Sequence, residues 1–153
     1  DRVGDQLRES LCPPVPPSRR YDILVLSGGG AYGAYTAGVL CGWTEAGTRP
    51  EFDVVTGVST GAIIAPLAFA GPAYDAELKR AYTTVKNADI FRLRNPLWGL
   101  FTSSLADSGP LARWIADTVS PEFLAVVAAE HRKGRRLYVG TTNLATKRLV
   151  VWD

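Results

Sequence analysis

Apolar positions first run together at residues 21–26 (YDILVL), where Asp22 is the one charged residue. A short, nearly continuous apolar run of this kind suits a strand buried on both faces of a parallel sheet. Ser27-Gly28-Gly29-Gly30 breaks it. Residues 31–46 then read as a helix rich in small side chains that ends near Gly47, and residues 52–56 as a second short strand. Strand, glycine loop, helix and strand make a βαβ unit with an expected right-handed crossover. Residues 59–69 are apolar almost all round, which predicts a buried helix. Pro66 inside it removes one backbone hydrogen bond and predicts a kink. The spacing predicts a further helix over about 75–85, with Leu78, Tyr82 and Val85 on one face. Another starts at Gly109-Pro110 and carries Leu111, Trp114, Ile115 and Thr118. A third starts at Ser120-Pro121, with Leu124, Val127, Ala128 and His131 at helical spacing and Gly134 as its C-terminal stop. Residues 136–142 and 149–152 read as two strands around a turn at 143–147. The stretch 87–107 shows no clear period.

Composition narrows the class. The chain has 153 residues, 46% hydrophobic and 21% charged, which fits one globular domain and excludes a mainly disordered or collagen-like chain. A domain of this size buries about two thirds of its unfolded surface, so it needs no disulfide or metal staple. Seventeen Lys and Arg against fifteen Asp and Glu leave a net charge of +2, so nucleic acid is not an expected partner. The basic run 132–136 reads as a solvated turn. Cys12 and Cys41 are not at metal-ligand spacing, and His131 is the sole histidine. No metal site is expected, and no organic cofactor is implied. No stretch approaches eighteen apolar residues, so no transmembrane helix is predicted.

Residues 1–20 read as a leader, with the proline-rich 12–17 favouring an extended linker, and residues 21–153 as the folded part. The chain begins at Asp1 rather than Met, so a processed or trimmed product is expected, with any signal segment lying outside it. Such a start is compatible with export. Compartment and oligomeric state are not legible in the sequence.

Two motifs carry chemistry. The first is Gly57-Val58-Ser59-Thr60-Gly61, after a predicted strand and before an apolar helix. That is the context of a nucleophile elbow, in which a tight turn lifts a serine hydroxyl above the sheet at the positive end of the following helix. Small residues two before and two after the serine let strand and helix approach. A plain strand-to-helix turn is the alternative, and the string alone is weak. The second motif is Gly28-Gly29-Gly30-Ala31-Tyr32-Gly33, again after a strand and opening a helix. Glycine amides unshielded by side chains converge on one anion, a phosphate or a developing oxyanion.

The spacing Gly28-x-Gly30-x-x-Gly33 also fits a dinucleotide fingerprint, with Asp53 about twenty residues on. The ribose-binding acid, however, belongs at the carboxyl end of the second strand, and Asp53 is at its start. A phosphate-binding Walker loop lacks its lysine, since Ala34 stands there. The two motifs instead fall at the carboxyl ends of adjacent strands, one offering a nucleophile and the other anion-binding amides, as acyl transfer needs.

Together, in this order and about thirty residues apart, the motifs resemble those of the patatin-like phospholipases. Softer features extend the resemblance over most of residues 21–153: Asp107-Ser108-Gly109-Pro110-Leu111 before a helix, and Thr141-Thr142-Asn143-Leu144 ending a strand. The resemblance implies a three-layer α/β/α domain with a mainly parallel sheet, and a lipid acyl hydrolase of phospholipase A or esterase type. It implies a Ser–Asp dyad with Ser59 as nucleophile, an oxyanion hole from the amides of Gly28, Gly29, Gly30 and Gly33, and an elbow formed with Gly57, Thr60 and Gly61. The substrate is then a phospholipid or other lipid ester at a membrane or micelle surface.

The sequence departs from the family in one respect. The family's aspartate sits in an Asp-Gly-Gly or Asp-Gly-Ala motif, and no Asp-Gly occurs in these 153 residues. Asp153 follows Asn143 too closely to match it. Asp53 is six residues from Ser59, up to about 20 Å of strand and turn. His131 could act as a base but reads better as a helix C-terminal residue packed beside Val127 and Ala128. The expectation is an N-terminal part of the domain, with an exposed sheet edge and little activity alone.

Lesser features stay open. Residues 95–101 (NPLWGLF), flanked by Arg92 and Arg94, read as a packed loop or as a lipid-touching flap led by Trp98. Tyr32 and Tyr35 either line an acyl entrance or pack in the core. Cys41 reads as a buried small residue. A non-catalytic lipid- or anion-binding module and a nucleotide-binding domain are the rival functions.

Overall fold

The computed structural model describes residues 20–83, 92–93, 106–107 and 109–153. Strand β1 (Ile23–Leu26) leads through a 3-10 turn (Gly30–Tyr32) into helix α1 (Gly33–Glu45). Strand β2 (Val54–Val58) leads directly into helix α2 (Thr60–Ala70). A second 3-10 turn (Pro72–Tyr74) opens helix α3 (Asp75–Thr83). A small antiparallel pair follows, β3 (Arg92–Leu93) with β4 (Ala106–Asp107). Then come helices α4 (Gly109–Thr118) and α5 (Pro121–Arg132) and strands β5 (Arg136–Asn143) and β6 (Arg148–Trp152).

The main sheet has the order β1-β2-β5-β6. β1, β2 and β5 are parallel, with Leu26 opposite Gly57 and Val58 opposite Gly140, and β6 returns antiparallel to β5. The fold is thus α/β with a mainly parallel sheet. The turn between β5 and β6 is built by Asn143, whose Oδ1 accepts the N–H groups of Ala145 and Thr146. At the other end of the sheet Asp53 ties three strands together. Its Oδ2 accepts the Asp22 N–H at 3.0 Å, its N–H donates to Asp22 O, and its carbonyl accepts the Arg136 N–H.

One core holds the domain. Leu26 and Val55 from the sheet meet Ala37 and Leu40 of α1, Ile64, Ala65, Leu67, Ala68 and Phe69 of α2, Leu78 of α3 and Phe123 of α5. Burying each large aliphatic or aromatic side chain contributes about 1.5–3 kcal/mol. α2 is the central element. Seven of its eleven residues are buried, so the apolar-all-round reading holds, with Pro66 inside the helix.

β1 departs from the expected burial on both faces. Leu26 and Leu24 face the core, whereas Ile23 and Val25 are exposed. The packing explains this. The helices that supply the core pack with Leu24 and Leu26, and among the described residues nothing covers the opposite face of β1. β1 is also an edge strand of this sheet. A second correction concerns α5. Its buried residue is Phe123, edge-to-face with Tyr74 at 5.0 Å, with Val127 one turn on. Leu124, Ala128 and His131 point outward instead. Ser120 caps this helix by accepting the Phe123 N–H at 3.2 Å.

Candidate active site

β2 carries Gly57 and Val58 to its end, and Ser59 follows as the residue that caps α2. Ser59 has φ 53° and ψ −124°, a left-handed conformation that costs a residue with a β-carbon about 1–3 kcal/mol. The neighbours explain why the strain persists. A β-carbon on Gly57 would run into the Gly61 carbonyl, and one on Gly61 would run into the Leu26 carbonyl. Strand end, turn and helix start are therefore in backbone contact, and the serine is forced through a sharp bend. Its side chain is exposed, at the first turn of an eleven-residue helix whose amide dipoles favour negative charge there. Among the described residues, Ser59 Oγ has no hydrogen-bond partner.

The glycine loop stands beside it, at the end of β1. A β-carbon on Gly28 would lie 2.9 Å from Ser59 Cβ and 3.4 Å from Ser59 Oγ. Gly30 has φ +56°. The loop carbonyls are turned into the helix start: Tyr32 N–H donates to Gly29 O at 3.1 Å, and Gly33 N–H donates to Gly30 O. The Gly29 and Gly30 N–H groups stand at the start of this turn, before any of its carbonyls is placed to bond them. Gly33 differs from the other three. Its N–H is spent inside the turn, on Ala31 O and Gly30 O. Its lack of a side chain serves close approach instead, since a β-carbon there would strike Thr60 Cγ2 and lie 2.6 Å from the Tyr82 hydroxyl. Burial pushes the Tyr82 phenol up to about 12.

The sequence marks Thr60 only as an elbow residue. Its hydroxyl donates to Gly30 O at 3.2 Å and its side chain is buried against the loop. Nothing in the sequence spacing signals this bond, because it joins residues thirty apart. The Tyr82–Gly33 contact is equally invisible there.

The remaining candidates are not brought to Ser59. Asp53 sits at the start of β2 and is engaged by Asp22. His131 lies at the end of α5, before β5 begins, with Nδ1 3.7 Å from Asp153 Oδ1. Both lie toward the end of the sheet opposite the elbow. Tyr32 and Tyr35 are 83% and 78% exposed, which removes the core-packing reading. Cys41 is half-buried, its thiol 3.7 Å from Asp75 O, and burial raises its pKa. Cys12, the proline-rich leader and the 95–101 run lie outside the described residues. Among the described residues no group of His, Cys, Asp or Glu could hold a metal ion, and no helix is long and apolar enough to cross a membrane.

A cleft of about 250 Å³ opens near Phe52 and the end of α2, away from the elbow. Its two buried arginines spend their donors on the fold. Arg49 bonds Asp75, Thr44 and Ala68 O, and Arg135 bonds Phe52 O and Glu130.

Comparison with curated proteins gives no match, and neither does comparison with solved structures. A family model does match, that of the patatin-like phospholipases, over residues 24–150. Those residues run from β1 into β6 and include both glycine motifs, so the chain belongs to the patatin-like phospholipase family.

Proposed function

We propose that the protein is a serine-dependent lipid acyl hydrolase with Ser59 as its nucleophile. The observation that carries this reading is the exposed Ser59, strained at φ 53° and set against Gly28 of the loop. Ser59 Oγ adds to the ester carbonyl carbon as its proton passes to a base. The carbonyl electron pair moves to oxygen, where the Gly28, Gly29 and Gly30 amides meet the developing charge. Collapse breaks the carbon–oxygen bond, and the alcohol leaves with the proton. Water then attacks the acyl-serine in the same way, releasing the fatty acid and restoring Ser59. Gly57, Thr60 and Gly61 hold the elbow. The substrate is a phospholipid or other lipid ester presented at a membrane or micelle surface.

The base in this scheme is the aspartate of a Ser–Asp dyad, as the family resemblance implies. Among the described residues no carboxylate or imidazole hydrogen-bonds Ser59.

Fluorophosphonate labelling with mass spectrometry tests the reading. An adduct on Ser59, lost in Ser59→Ala together with ester hydrolysis, is the expected result. Hydrolysis that survives Ser59→Ala removes Ser59 from the mechanism. Binding to lipid vesicles with no adduct would favour the non-catalytic lipid-binding module.

A further inference from the structure

The glycine loop poses a physical problem. Gly28, Gly29 and Gly30 lack β-carbons, and peptide units between glycines reorient at little steric cost. A loop that binds an oxyanion through its amides must nevertheless keep them pointed one way before the charge appears, because the gain comes from donors that need not reorganise. Something must hold the peptide planes.

The structure shows two restraints on the Gly30 carbonyl. One comes from within the turn, the Gly33 N–H. The other comes from across the site: Thr60 Oγ1 donates to Gly30 O at 3.2 Å. Thr60 is the residue after Ser59 and the first residue of α2, 9% exposed, with its methyl group against Gly33. Because the peptide unit is planar and trans, fixing this carbonyl fixes the opposed N–H of Ala31. A reversed unit would aim a carbonyl dipole where that amide stands. The same covalent step that carries the nucleophile thus carries the latch for the loop beside it.

We propose that Thr60 is a positioning residue, whose hydroxyl locks the Gly30–Ala31 peptide and keeps the glycine loop preset for a developing oxyanion. This rests on Ser59 being the nucleophile. The Thr60 side chain is spent on Gly30 O and on packing against Gly33, so it acts through the loop. Removing the hydroxyl leaves the Gly33 N–H as the one remaining restraint on this carbonyl, so reversed peptides are sampled more often, which weakens transition-state binding and leaves ground-state binding nearly as it was.

The test compares Thr60→Val, Thr60→Ser and Ser59→Ala in the full protein. It reads kcat and KM on a nitrophenyl ester, the rate of fluorophosphonate adduct formation at Ser59, and the melting temperature. Val keeps the branched shape and loses the donor; Ser keeps the donor and loses the methyl. The expected result is a fall in kcat of about tenfold for Thr60→Val, a fraction of the 10²–10³ lost when an oxyanion donor is removed outright. KM should stay within about twofold, adduct formation should slow in parallel, and Thr60→Ser should recover most of kcat. Two results overturn the proposal while leaving Ser59 in place. One is a Thr60→Val protein with wild-type kcat. The other is Thr60→Ser falling as far as Thr60→Val, which would assign the effect to the packed methyl. A Thr60→Val protein that does not fold shifts the decision to Thr60→Ser, where loss of kcat at an unchanged melting temperature counts against the hydroxyl. Hydrolysis that persists in Ser59→Ala overturns the nucleophile reading, and the Thr60 proposal with it.

Discussion

Gly28 and Ser59, thirty-one residues apart, stand so close that a β-carbon added to the glycine would come within 2.9 Å of the serine β-carbon. Real β-carbons do not approach that closely, so the contact makes glycine obligatory at position 28. It also couples the loop to the nucleophile mechanically. Gly28→Ala should displace either the loop or the serine by several tenths of an ångström. Because misplacement by about 1 Å can cost 10²-fold in rate, a loss of about one to two orders of magnitude in kcat/KM is expected. Global stability should change less, since Gly28 is exposed at the end of β1. Steady-state ester hydrolysis beside a thermal melt checks this. Wild-type kcat/KM in Gly28→Ala would mean that loop and serine move independently.

The strain at Ser59 makes a second prediction. At φ 53° and ψ −124° the serine occupies a region that glycine enters freely. Ser59→Gly should therefore raise stability by about 1 kcal/mol, the relieved strain less the added freedom of the unfolded chain. For a domain of this size that is about 2–4 °C in melting temperature. Labelling should vanish in the same protein. A lower melting temperature for Ser59→Gly would show that the turn stores no strain and that the serine is there for packing.

Much of this was legible in the sequence because it is local. The strand at 23–26, the elbow at 57–61 and the buried helix after it follow from runs, glycines and one serine. Departures arise where burial depends on topology. Ile23 and Val25 read as buried on both faces, yet the helices of the core pack with Leu24 and Leu26, and among the described residues nothing covers the other side. On α5 the apolar periodicity could be read in two phases. The ring of Tyr74, far off in sequence, settled on Phe123 rather than Leu124. At the site, glycine positions were readable, but their separate duties were not. Whether a glycine offers an amide or merely makes room depends on what packs against it, as Thr60 and Tyr82 do at Gly33.

Arg135 is the joint between the end of α5, the start of β5 and the core. Its Nε donates to Phe52 O at 2.7 Å, its Nη1 to Glu130 at 2.8 Å, and its guanidinium stacks 4.5 Å from the Phe69 ring centre. The side chain is 8% exposed, so removing it strands a carboxylate and a carbonyl in a poorly hydrated place. Arg135→Ala should cost about 3 kcal/mol, at the lower end for a broken buried pair because Lys133 still serves Glu130. Arg135→Lys should recover only part, since an ammonium cannot span both partners or stack as a plane. Urea unfolding monitored by tryptophan fluorescence measures both. Equal stability of Arg135→Ala and wild type would show that the joint is held by packing alone.

Acid stability follows from the same corner. The Lys133 ammonium, donating at 2.7 Å, and then the Arg135 guanidinium hold the Glu130 carboxyl below its usual value near 4.5. The unfolded chain offers no such partners, so at acid pH it binds the proton more readily than the folded one. Stability from this group is therefore fully present above about pH 4.5 and is lost as pH falls through the lower folded value. Glu122 acts in the same direction, lowered by the Ser120 hydroxyl and its own backbone N–H, so the acid limb has more than one source. The expected outcome is a melting temperature that is flat near neutrality and drops below about pH 4.5, with a shallower drop in Glu130→Gln and a lower plateau at pH 7. Raising salt should narrow the gap between the two proteins, because the Lys133 contact is exposed. An acid limb identical in wild type and Glu130→Gln would show that Glu130 titrates in the folded protein as it does in the unfolded chain.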